Sequence, residues 1–187
     1  MEVFVIRHTT VAVLKEFCYG QTDVALSDTF ESEWTALKDQ LPTDFDAVFS
    51  SPLTRCQLLA QKISDNIETD KRLIELNFGD WEMQKWSEID SESLNAWMYN
   101  FVNAAPPNGE SLAALNKRVH EFMDDLRQKK GVKKVILVAH SGVIRCIWAY
   151  LLEIPLNNIF KLPVGFGEIL RFKLGETAAF DVIKRMK

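Results

Sequence analysis

The chain has 187 residues, 47% hydrophobic and 26% charged, with a formal net charge of −4. That length suits one domain with a sizeable core, and nothing in the acidic balance suggests a nucleic-acid or polybasic membrane surface, so any anion site must be local. No run of about 18 apolar residues could span a bilayer, and the N-terminus is read as lacking a secretion signal.

The first predicted element is a strand, Val3 to Ile6, which exits into Arg7-His8-Thr9-Thr10. Its β-branched, uniformly apolar run suits the interior of a sheet. A loop follows, with Cys18-Tyr19-Gly20-Gln21-Thr22-Asp23 at its centre. Ser27 is expected to cap a helix running to about Leu41. Asp46 to Ser50 reads as the second strand, and Ser51-Pro52 as the cap and first turn of a helix ending near Asn66. A short strand is expected through Arg72 to Leu76. Residues 77–110, rich in tryptophan and ending in Pro106-Pro107-Asn108-Gly109, read as an insertion of short helices over the sheet edge. Ser111 to Lys130 carries Leu112, Leu115, Val119, Phe122 and Leu126 on one helical face, and Gly131 is expected to end it. Val135 to Ala139 is the fourth strand, exiting into His140-Ser141-Gly142 and a helix through Ile144, Ile147 and Leu151. Glu168 to Phe172 and Phe180 to Ile183 read as two more strands. The alternation predicts a single α/β domain over residues 1–187, a three-layer αβα sandwich with a largely parallel central sheet.

Four polar clusters then share one address. Arg7-His8, Ser50 to Arg55, Glu75 and His140-Ser141-Gly142 each stand at or just beyond a predicted strand's carboxyl end, where open α/β sheets bind ligands. Two arginines, two histidines and a glutamate in one cleft suit phosphoryl transfer. Arginines hold equatorial oxygens bidentately. A neutral imidazole can attack phosphorus, and a second can stabilise charge on the transferring oxygens. A carboxylic acid can protonate the departing oxygen. The helix start after Ser141 offers free backbone N–H groups to the same anion. This chemistry calls for no metal and no cofactor.

At these residues the chain resembles the histidine phosphatase superfamily, also called phosphoglycerate mutase-like. The resemblance implies His8 as nucleophile, Arg7 and Arg55 as phosphate ligands, Glu75 as proton donor and His140 as the second histidine. Glu82 is the rival proton donor. Within the superfamily the likeness is to the α-ribazole phosphatases. It rests on Cys18 to Val24, on Phe78-Gly79-Asp80-Trp81-Glu82-Met83 and on Asn108-Gly109-Glu110-Ser111. It implies a small phosphomonoester, α-ribazole 5′-phosphate of cobalamin assembly, with Gln21, Thr22, Ser141, Glu82 and Glu110 also facing the substrate and tryptophans stacking on its base. The alternatives are a broad small-molecule phosphatase, a phosphoglycerate mutase, and a catalytically inactive module that binds phosphate ligands. The chain departs from the family pattern at Thr9 and Thr10, which follow the first histidine, and at Leu14, where many members carry a phosphate-binding asparagine. Thr9, Thr22 or a backbone N–H is the expected substitute.

Other readings are blander. Arg145 is expected to be a structural ion-pair partner and His120 to be solvated. Trp34 and Trp148 are expected in the core, whereas Trp81 and Trp86 either pack the insertion or line the pocket. Rival chemistries fail on spacing. Ala139-His140-Ser141-Gly142-Val143 lacks the second glycine of a nucleophile elbow, and no histidine follows Ser141. Cys18, Cys56 and Cys146 are followed six residues on by Val24, Lys62 and Leu152 rather than the arginine of a cysteine phosphatase. The three thiols form no metal or disulfide pattern and favour a reducing cytoplasm. A homodimer is the one protein partner left open.

Overall fold

In the computed structural model, which describes residues 1–184, six strands form one sheet in the order β3-β2-β4-β1-β5-β6. These are β1 (Glu2–Arg7), β2 (Ala47–Ser50), β3 (Ile67–Thr69), β4 (Lys134–Ala139), β5 (Ile169–Lys173) and β6 (Val182–Lys184). The pairs β1–β4, β2–β4 and β2–β3 are parallel, and β5 and β6 add antiparallel at one edge. The strand expected at Arg72 to Leu76 does not form. Asp70 caps a single 3₁₀ turn, Lys71–Leu73, by accepting from the Arg72 N–H, and the third strand lies earlier, where the helix was expected to end.

Two-residue periodicity in the strands divides the core. Val3 and Val5 of β1 and Val135 and Leu137 of β4 face one side. There they meet α4 (Leu112–Gln128) and α5 (Ser141–Leu152). Phe4, Ile6, Ile136 and Val138 face the other, against residues of α1 (Phe30–Leu37) and α2 (Thr54–Ile63). The result is three layers, with Trp34 and Trp148 packed against opposite cores. The insertion holds one 3₁₀ turn, Gly79–Trp81, and α3 (Ser91–Tyr99). Trp81 is 5% exposed and packs with Cys18 and Ile89 beneath it.

Helix starts differ from expectation. Ser27 sits before α1, which begins with Thr29 at its cap. Ser51 likewise precedes α2. The first turn of α2 is held by Asp23, whose carboxylate accepts from the Thr54 N–H at 2.9 Å and from the Thr54 hydroxyl. His120 is half-buried rather than solvated. Its ring stands edge-on to Tyr150, with centroids 4.9 Å apart. No helix among the described residues is long and apolar enough to cross a membrane.

Candidate active site

Strand register brings the polar exits level. Arg7 pairs with Ala139, and Ser50 with Val138, so β1, β4 and β2 end together. The next residues are fixed by the same ladders: the His8 N–H donates to Ala139 O at 3.0 Å and the Ser51 N–H to Val138 O at 3.0 Å. Histidines 132 positions apart in number thereby meet, with the His8 and His140 ring centroids 5.1 Å apart.

His8 is oriented by its own neighbour. Its Nδ1 lies 2.8 Å from Thr9 O, an acceptor only, so Nδ1 carries the proton and Nε2 keeps its lone pair. Burial, followed by the charge of Arg55, pushes its pKa down to about 3. Phe166 packs against the ring with centroids 5.5 Å apart, and the Arg7 guanidinium lies 3.8 Å over the same phenyl face. Arg7 also donates to Val164 O at 2.7 Å. Arg55 is 1% exposed and donates to Thr22 O at 2.9 Å and to Gly20 O. The Nε atoms of Arg7 and Arg55 are both buried without a partner among the described residues. Native proteins rarely leave such donors unsatisfied away from a ligand site.

His140 lies deeper, fully buried beneath His8, with Nε2 2.7 Å from the Ser51 hydroxyl and 3.4 Å from the Cys56 sulfur. Burial and the neighbouring His8 hold its pKa well below the usual value. Both rings are therefore neutral in weak acid, where unfolded histidine is charged. The unfolded chain binds more protons there, so stability falls as pH drops through about 6.5. His8 contributes a loss of about 2 kcal/mol by pH 5, and His140 acts in the same direction. Denaturant titrations at pH 7.5 and 5.0 should show this decline, and in His8→Ala the difference between the two pH values should shrink by about that amount.

Glu75 reaches the start of α5. Its Oε2 accepts from the Gly142 N–H at 3.0 Å, and its Oε1 from the Leu76 N–H at 2.9 Å. Gly142 has no side chain for a reason: a Cβ there would stand 2.3 Å from Glu75 Oε1. Arg7, His8, Arg55, Glu75, Ser141 and Gly142 all line one cavity of about 460 Å³, a size typical of small-molecule sites. Its outer wall includes Phe17, Phe78, Trp86 and Trp97.

Four other expected site residues stand behind the wall instead. Glu82 accepts from the backbone N–H groups of Gly20, Gln21, Thr22 and Phe78 at 2.8–3.1 Å. Burial raises its pKa, but hydrogen bonds from Thr22, Gly20 and Gln21 outweigh this and hold it below the usual carboxylate value. It thus pins the loop whose carbonyls hold Arg55. Thr22 contributes its amide and carbonyl to that scaffold. Gln21 Nε2 donates to Glu75 O at 2.9 Å. Glu110 accepts from Arg118 at 2.8 Å through both oxygens, and Arg118 donates to the carbonyls of Arg72, Ile74 and Glu75. The sequence placed these groups near the site because they hold the residues that line it.

Leu14 is 63% exposed and off the cavity wall. Of the substitutes for the missing asparagine, Thr9 Oγ1 is buried with no partner among the described residues. Four lining or supporting residues were not picked out from sequence. Tyr19 sits inside a quoted motif and lines the cavity, where burial raises its phenol's pKa against the opposing charges of Arg7 and Arg55. Ser51 stood one residue past a strand end and read as a cap. Phe166 lies in a stretch with no periodicity. Arg145 makes no ion pair among the described residues and lines the cavity.

Comparison with known proteins agrees with this frame. An adenosylcobalamin/alpha-ribazole phosphatase of Salmonella typhimurium is 31% identical over 130 residues, which cover 66% of this chain and 64% of that protein. Phosphoserine phosphatase 1 of Hydrogenobacter thermophilus is 28% identical over 150 residues, covering 76% of this chain and 71% of the relative. The crystal structure of the alpha-ribazole phosphatase from Shigella flexneri superposes with a TM-score of 0.90 at 26% identity, covering 100% of this chain and 96% of that one. The pattern of the histidine phosphatase superfamily, branch 1, matches residues 3–180. Together with the paired strand exits, that match over nearly the whole chain places this protein in the histidine phosphatase superfamily.

Proposed function

We propose that the protein is a phosphomonoesterase working through a phosphohistidine at His8. The observation that carries this reading is His8 itself, a neutral imidazole with Nδ1–H fixed on Thr9 O, set among Arg7, Arg55 and His140. In the first half-reaction, His8 Nε2 attacks phosphorus and the ester P–O bond breaks. Arg7 and Arg55 hold the equatorial oxygens, and Glu75 protonates the departing oxygen. In the second, Glu75 takes a proton from water, whose oxygen bonds to phosphorus as the P–N bond breaks. The start of α5, expected to offer free N–H groups to the anion, instead holds Glu75 in place through the Gly142 N–H. His140, expected to touch the transferring group, lies off the cavity wall; fully buried and held by Ser51, it packs against the His8 ring and positions it.

The aromatic wall supports α-ribazole 5′-phosphate as the substrate, and the named relatives from Salmonella and Shigella point the same way. Trp86 and Trp97 line the cavity and are the indoles available to stack on a benzimidazole ring beyond the phosphate. The three cysteines are buried and unpaired, which fits a cytoplasmic enzyme. The test is kinetic: kcat/KM for α-ribazole 5′-phosphate should exceed that for p-nitrophenyl phosphate and for the phosphoglycerates, with phosphate released rather than relocated. Equal values across the panel would leave a broad phosphatase, and turnover of none would leave a binding module. Trp86→Ala should raise KM for the ribazole ester about tenfold while leaving kcat near the parent value, as read from initial rates.

A further inference from the structure

Glu75 stands at the cavity without a strand to hold it. Residues 75–78 adopt no regular structure, and no backbone-to-backbone hydrogen bond among the described residues engages Glu75. The other central groups are placed by regular elements: Arg7 by β1, Arg55 by α2 and His140 by the end of β4. A general acid must keep its carboxyl within hydrogen-bond reach of one departing oxygen. This segment therefore needs another means of being fixed.

Arg118 supplies it from α4. Its Nη1 donates to Arg72 O at 2.8 Å and to Ile74 O at 2.6 Å, and its Nη2 to Glu75 O at 3.0 Å. Its Nε and Nη2 donate to the two Glu110 oxygens at 2.8 Å. A guanidinium has five N–H donors, so every one is engaged. The planar fork gathers the carbonyls of residues 72, 74 and 75 on one side and is fixed in its plane by Glu110 on the other. The pair is largely buried, each side chain 18% exposed. Arg118 leaves α4 between Leu115 and Val119, both fully buried, so the fork starts from a rigid base. Gln21 adds a second bond to Glu75 O, at 2.9 Å. Arg118 itself is not part of the cavity wall.

We infer that Arg118, locked by Glu110, is the positioning residue of the proton donor: it sets where Glu75 holds its carboxyl, and so governs departure of the leaving group rather than binding of the phosphate. The inference rests on Glu75 acting as that donor. It gives the Glu110–Arg118 pair a consequence for the reaction that is separate from holding the fold together.

The test is a double-mutant cycle read on two substrates, an alkyl phosphate and p-nitrophenyl phosphate. Arg118→Ala should lower kcat about 10²-fold for the alkyl ester, the scale of a reacting group displaced by about 1 Å. For p-nitrophenyl phosphate, whose departing oxygen needs little help, the loss should be about threefold or less. Inhibition by inorganic phosphate should stay at the parent value. In the Glu75→Gln background the same substitution should lower alkyl-ester turnover by about threefold or less, because the carboxyl it acts through is already gone. Guanidinium at about 10 mM, far below denaturing concentrations, should restore part of the alkyl-ester rate to Arg118→Ala. Arg118→Lys, which keeps the charge without the fork, should retain most of the defect. If Arg118→Ala does not fold, Glu110→Gln serves, with a smaller loss in the same substrate pattern. Equal losses on both substrates, additive losses in the double variant, or full recovery by lysine overturn the positioning role while leaving Glu75 as the donor. Failure of the donor reading looks different: Glu75→Gln alone then shows no leaving-group dependence, and the positioning role falls with it.

Discussion

His8→Ala should abolish turnover, lowering kcat by about 10⁴-fold or more, the scale seen when a covalent nucleophile is removed. The size of the effect follows from what nothing else can replace. The Thr9 carbonyl sets the tautomer, burial and Arg55 keep the ring neutral, and β1 places it one residue past the Arg7–Ala139 pair. His140 cannot substitute, because it is fully buried and its Nε2 already meets Ser51. Alanine at the end of β1 leaves the ladders to β4 and β5 intact, so circular dichroism should be unchanged. Phosphate should still bind through Arg7 and Arg55. Rapid quenching of the wild type with a labelled phosphomonoester should trap acid-labile phosphate on His8. A folded His8→Ala protein that retains wild-type turnover would overturn the mechanism.

Glu75→Gln should lower kcat by about 10²- to 10⁴-fold, the range for a lost general acid. The fall should be steepest for alkyl esters and mild for p-nitrophenyl phosphate, whose departing oxygen needs little help. Glutamine keeps the bond from the Gly142 N–H, so the start of α5 stays in place. Glu82→Gln makes the contrast. Its carboxylate accepts four backbone N–H groups away from the cavity. Weakening that anchor should cost about 1–3 kcal/mol of stability and leave the leaving-group dependence unaltered. Thermal melts and a leaving-group series on both variants separate the two roles. A leaving-group effect in Glu82→Gln but not in Glu75→Gln would exchange them.

The sequence shows the sheet where hydrophobic pattern and position agree. Val3 to Ile6 and Val135 to Ala139 are buried on both faces, so their apolar runs leave no other reading, and the polar residues at their exits follow at once. Short elements are less legible. Ile67–Thr69 pairs along a sheet edge with two of its three residues exposed, so no apolar run marks it. Supporting residues are harder still to separate from lining ones. Glu82, Gln21, Thr22 and Glu110 have the chemistry of ligands, and only coordinates reveal that backbone amides, Arg55, Glu75 and Arg118 already occupy them. Ser51 was misread for the opposite reason: the caps of α2 and the partner of His140 use the same hydroxyl chemistry, and Asp23, remote in sequence, takes over the cap.

The strand order also constrains how the protein is made. β1 is synthesised before the other five strands, yet its neighbours are β4 and β5, whose residues begin at Lys134 and Ile169. Until those segments are synthesised, the apolar strand that leads into His8 has no permanent mate. Such high contact order slows folding and exposes the nascent chain to mispairing. The pocket around His8 is therefore a late, nearly all-or-none acquisition of the polypeptide, completed only when β4 and β5 have joined β1.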